Sequence, residues 1–139
     1  MVENWEEWVL RRARCNADDI FAELQEQVEQ DVAYMKSVTD AKNDRVSFQF
    51  SKEDERRFVV ERNAAPPAHQ EGVVFQNSFD KIIVDHWRGS NTPSKFYVVW
   101  KWNEQQCKCE LFIDDGDEPH EVWQVSQKAL LPLFFPSVK

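Results

Sequence analysis

Glycine is scarce in this chain, three residues in 139, and so there is no Gly-rich loop to wrap backbone N–H groups around a phosphate. Cysteine is scarce and odd in number. Cys15, Cys107 and Cys109 imply no disulfide framework, and the C-x-C spacing of the last two is not the C-x-x-C knuckle of a structural zinc site. They are expected as small buried residues. With an N-terminus, Met-Val-Glu-Asn-Trp, that is neither basic nor apolar, they point to a reducing cytoplasm. No apolar run approaches the roughly 20 residues of a membrane span, so no membrane contact is expected. Basic charge is also short. Lys and Arg number 17 against 25 Asp and Glu, a net charge of −8, and a phosphate-neutralising field is missing; nucleic acid is not an expected partner. Neither G-x-S-x-G nor H-E-x-x-H occurs.

What is present is a large apolar payload: 42% hydrophobic and 13% aromatic residues, six of them tryptophan, enough for one domain over 1–139 without metal or disulfide staples. The negative charge is concentrated early. Residues 1–44 carry 11 acidic and 5 basic side chains, and the remainder carry 14 and 12.

The most decisive pattern is Phe96-Tyr97-Val98-Val99-Trp100-Lys101-Trp102 with its return Cys107-Lys108-Cys109-Glu110-Leu111-Phe112-Ile113. β-branched and aromatic residues on both sides of the polar Asn103–Gln106 predict a β-hairpin with a four-residue loop. That loop sets Trp102 against Cys107, Trp100 against Cys109, Val98 against Leu111 and Phe96 against Ile113. One face is then wholly apolar, and the other carries Tyr97, Val99, Lys101, Lys108, Glu110 and Phe112.

The helical N-terminal segment is placed at 1–38. Asn4 and Glu7 form a capping pair for a helix over 5–14, and Asn16, with Asp18 and Asp19, starts a longer one over 17–38. Phe21, Leu24, Val28, Val32 and Met35 recur at steps of three and four as its buried stripe, leaving Glu23, Glu26, Glu29 and Asp31 as a solvated face. The sheet is placed at 45–113. Residues 45–50 alternate, 58–61 return, and 63–72, with Pro66-Pro67, is the main exposed loop. Residues 73–75 and 82–87 are further strands, and a turn over 88–94 leads into the hairpin. A helix over 119–131 follows the acidic turn Asp114–Glu118; Pro132 and Pro136 end it, and Leu133, Phe134 and Phe135 dock as a tail.

Strands clustered between helices without βαβ alternation make this α+β, an antiparallel sheet of five or six strands packed against N-terminal helices and a C-terminal helix. No catalytic constellation is found. Asp85 and His86 are neighbours in a strand and point to opposite faces, so they form no dyad. The Asp114–Glu118 run lacks the spacing of a calcium loop. No metal and no cofactor is expected.

The function read from these residues is a non-enzymatic protein-interaction module, engaging a protein partner or a second copy of itself. Its surface is the aromatic outer sheet face of Trp87, Tyr97, Val99, Lys101 and Phe112. The alternative is a small-ligand-binding protein or enzyme with a pocket between sheet and helices, where His86 supplies a polar handle and Trp100 and Trp102 the walls. A second alternative is an acidic inhibitor that engages a basic partner through the N-terminal helices.

Overall fold

The computed structural model describes residues 5–42, 46–63, 71–87 and 95–135. The chain begins with α1 (Trp5–Ala13) and α2 (Ala17–Lys42). Six strands follow: β1 (Ser47–Asp54), β2 (Arg57–Asn63), β3 (Glu71–Asn77), β4 (Ile82–Trp87), β5 (Lys95–Asn103) and β6 (Lys108–Ile113). The last element is α3 (Val122–Phe134). The fold is α+β. Every strand pairs antiparallel with its neighbour in sequence, and the sheet order β1-β2-β3-β4-β5-β6 is an uninterrupted meander.

The alternation that defines the strands also defines the core. Phe48, Phe58, Val60, Val73, Phe75, Ile82, Val84, Phe96, Val98 and Leu111 share one face of the sheet and are buried against α2 and α3. From α2 come Ile20, Phe21, Leu24, Val28 and Val32, the stripe expected from the three-and-four spacing. At the centre the Phe58 ring stacks on Phe75 at 4.5 Å, with Phe21 at 5.1 Å and Phe50 at 5.3 Å, so β1, β2, β3 and α2 meet at one side chain.

Asn16 caps α2 as the sequence suggests, its Oδ1 accepting the Asp19 N–H at 2.9 Å. The helix runs to Lys42 instead of stopping at 38, because Thr39 is buried and gives its hydroxyl proton to the Lys36 carbonyl. The Asn4 cap, residues 64–70 of the Pro-containing loop and the 88–94 turn lie outside the described residues.

Five local expectations are corrected. The hairpin over 96–113 forms, but its loop is Glu104–Cys107, one residue further on. Asn103 pairs with Lys108, its Oδ1 accepts the Gln106 N–H at 3.0 Å, and Cys107 takes a left-handed φ of 54°. The register therefore moves by two: Trp102 opposes Cys109, Trp100 opposes Leu111 and Val98 opposes Ile113. A shift of two leaves every side chain on its expected face.

Cys109 is not a plain core residue. It is disulfide-bonded to Cys15, 94 residues earlier, with the two Cα atoms 5.4 Å apart. Cys107 in the loop is the free thiol. The bond sits where the break between α1 and α2 meets the β6 end of the sheet. Arg12 over the Trp102 ring and Arg11 Nη1 donating to the Cys107 carbonyl hold the same junction.

The last helix starts at Val122, three residues later than expected, because the His120 N–H donates to the Leu111 carbonyl and keeps Pro119–Glu121 beside β6. Nor does Pro132 end it. The helix continues to Phe134, where Leu133 is buried and Phe134 meets Phe48 edge-on at 5.0 Å. That packing outweighs the lost proline donor. Phe135 remains 60% exposed instead of docking.

Candidate functional site

Among the described residues, the core cluster joins α2 and α3 to one face of the sheet. On the opposite face β5 presents Tyr97, Val99 and Lys101 in succession. Ile83 of β4 lies across from Tyr97, Phe112 of β6 across from Val99, and Glu110 across from Lys101. Four of the five residues read as a partner surface, Tyr97, Val99, Lys101 and Phe112, are thus contiguous. Trp87 stands apart. It lies four residues along β4 from Ile83, about 13 Å at the strand rise. Its indole rests on β3 at Gly72, where a Cβ would come within 2.5 Å of the ring, so this close approach requires glycine.

The patch is held in place by its surroundings. Lys81 Nζ lies 5.4 Å from the Tyr97 ring centre and Lys101 Nζ 6.0 Å from that of Phe112. Tyr97 is tied to the turn after β6 three times over. Its N–H donates to Asp114 Oδ1, its carbonyl accepts from the Asp114 N–H, and its hydroxyl donates to Asp115 Oδ1 at 2.9 Å. Two carboxylates of that acidic turn, Asp114 and Asp115, are thereby directed at Tyr97. Among the described residues, no group of three or more His, Cys, Asp or Glu side chains is arranged to hold a metal ion.

The hydrogen bond to Asp115 raises the Tyr97 phenol above its ordinary value, helped by desolvation and by the charges of Asp115 and Asp114. A raised phenol favours the neutral form in the folded chain. This contribution to stability is present below about pH 10 and is lost as pH rises through the raised value. In a Tyr34→Phe background Tyr97 is the sole tyrosine. Ultraviolet titration there is expected to show tyrosinate forming above the ordinary range, and Asp115→Ala should return it downward. Identical curves for the two proteins would show that Asp115 does not bind the hydroxyl.

The three residues read as an alternative pocket are not brought together. His86 Nε2 donates to the Ala129 carbonyl of α3 at 2.7 Å, Trp100 joins the core, and Trp102 lies under Arg12. By the β4–β5 register His86 and Trp102 are eight positions apart, roughly 27 Å along the strands.

Two depressions escaped the sequence reading. A cleft of about 610 Å³ opens between α1, β6 and the start of α3, lined among others by Arg11, Arg14, Glu23, Lys108 and His120. Its charges are of both signs and partly paired, Arg11 with Glu7 and Lys108 with Glu121. A second, apolar groove of about 530 Å³ runs between α2 and α3. Its sequence signal is a set of apolar residues in and just past α3 that lie beyond a single stripe: Trp123, Leu131 and Phe135 have no place on the Val125–Ala129–Leu133 face. No known protein family, curated protein or solved structure matches this chain.

Proposed function

We propose that the chain is a non-enzymatic protein-interaction module that associates, through the face of its sheet opposite α2 and α3, with a second copy of itself. The observation that carries this is the contiguous row of Tyr97, Val99 and Phe112 on a sheet whose helices pack on the other side. Rigid aromatics already fixed by neighbouring lysines and by Asp115 lose little conformational freedom on binding, which favours them as anchors. Lys101 directly across from Glu110 gives the rim both signs of charge, and a twofold axis can set each against its opposite in the partner copy. The small-ligand alternative loses support from the separation of His86 and Trp102. The Cys15–Cys109 bond favours an oxidising compartment over the cytoplasm expected from cysteine number, because cytosolic thiol pools keep such pairs reduced.

Sedimentation and thermal unfolding on the same samples test the proposal. Tyr97→Ala and Phe112→Ala are expected to weaken self-association by roughly tenfold or more, as central aromatic anchors do, while moving the melting temperature little. A wild type that stays monomeric at high concentration, with both variants mainly losing stability, would overturn it.

A further inference from the structure

We propose that the groove between α2 and α3 is a docking site for an amphipathic helix of a partner protein, one that presents a row of apolar side chains and a single Lys or Arg to Asp31. This surface is separate from the sheet face, and the inference does not rest on self-association there.

The groove collects exposed apolar groups. Tyr34 (64%) and Val38 (43%) stand out from α2, Trp123 (52%) and Leu131 (51%) from α3, and Phe135 (60%) just beyond it. On α2 the lining positions are 27, 31, 34, 35 and 38, and on α3 they run from 123 to 134 at matching steps. Each wall is thus about three helical turns, some 16 Å at 1.5 Å per residue. A trough of that length between two helices fits a third helix of three to four turns, read through residues at i, i+3, i+4 and i+7.

The chemistry of the occupant comes from Asp31. Its carboxylate lies half-buried in the apolar wall, accepting from Ser126 Oγ at 2.7 Å and from Gln27 Nε2 at 3.2 Å. No cation pairs with it among the described residues. Ser126 is fully buried and gives its one proton to this carboxylate. An apolar helix closing over the groove would strip water from an unpaired charge, which is unfavourable unless the helix brings a counter-charge. Just past the N-terminal end of the groove, Glu23 and Glu26 are exposed beside Gln30. Over its whole length α2 carries seven acidic residues against two lysines, a field that draws a cationic segment.

The same charges argue against other occupants. A second copy docked by this face would bring Asp31 and the acids of α2 against their own kind. An anionic lipid surface would be repelled by the same helix.

The test is a display library of 16-residue amphipathic helices with randomised apolar-face positions, selected on the full chain and counter-selected on Trp123→Ala. Trp123 is half exposed, so this variant is expected to keep its fold, and its melting curve verifies that. Enriched peptides are expected to carry Lys or Arg at one fixed position among apolar residues. They should bind at least tenfold more weakly to Trp123→Ala and to Leu131→Glu. On Asp31→Asn, which keeps the side-chain volume, the preference for a basic residue at that position should disappear. The proposal is overturned by a pool no different from the counter-selected one, by enrichment without a basic residue, or by a basic preference that survives Asp31→Asn. It is equally overturned if wild-type chain dimerises through this groove, seen as loss of dimer in Leu131→Glu, or if the groove binds phosphatidylserine vesicles in place of peptide.

Discussion

Replacing Cys15 by Ser is expected to lower stability by about 3–5 kcal/mol, because the bond it removes closes a loop of 94 residues and restrains the unfolded chain accordingly. For a chain of this size that is a fall of roughly 10–15 °C in melting temperature. Cys109→Ser should fall by a similar amount, and the double variant by no more than either single one, since all three remove the same bond. Reductant should bring the wild type to the level of the variants and leave the variants unchanged. Alkylation of the native chain offers an independent check. Without reductant it should modify Cys107 alone, and after reduction and unfolding all three cysteines. Three reactive thiols in unreduced, unfolded protein would show that the bond does not form.

The other large effect is expected at the centre of the aromatic cluster. Phe58→Ala removes a fully buried ring that Phe75, Phe21 and Phe50 all touch, and the four elements around it relax only in part. Substitutions of this kind cost about 3–5 kcal/mol, a large share of the 5–15 kcal/mol typical of a whole domain. Denaturant unfolding measures it. Phe79→Ala is the matched control. Phe79 is 64% exposed, and its main neighbour is the Arg56 guanidinium 3.8 Å above the ring, so about 1 kcal/mol or less should be lost. Equal losses at the two positions would mean that the cluster is not the packing centre.

The two cases also mark how far the sequence could be read. Phe58 and Phe75 lie in unbroken apolar runs that mark strands without telling one face from the other, but Phe21 announces its burial by helical spacing, because periodicity is local and an element repeats it several times. The 96–113 hairpin was legible for the same reason. Its register was off by two residues, since nothing in Asn103–Cys107 other than the Asn103 side-chain bond to Gln106 decides which four residues turn. Cys15 carries no such signal. Its partner lies 94 positions away, and only the placement of the helix break over the end of β6 brings the sulfurs together. Pro132 misleads in the opposite direction: a strong local stop is overridden by burial of Leu133 and the contact of Phe134 with Phe48. Of the surfaces, Tyr97, Val99, Lys101 and Phe112 could be assembled from pairing alone. The α2–α3 groove could not, because it depends on how two helices distant in sequence lie side by side. Asp31 illustrates this. Its charge groups it with Glu23, Glu26 and Glu29 in solvent, but it lies three residues after Val28 and four before Met35, beside the buried stripe, and α3 turns it into part of a wall.

A meander laid down in chain order has two outer strands, and backbone groups along such edges invite any extended segment to add itself to the sheet. Both edges here are interrupted. At β6 the Leu111 carbonyl already accepts the His120 N–H, and the strand runs directly into the Asp114–Glu118 acids. At β1 the register breaks between Lys52 and Asp54, and Lys52, Glu53 and Asp54 project into water. Growth by strand addition, the route to fibrils and to indiscriminate capture of unfolded chains, is thereby discouraged at both ends. A visitor is left the broad surfaces of the molecule, where side chains and not backbone set the terms of recognition.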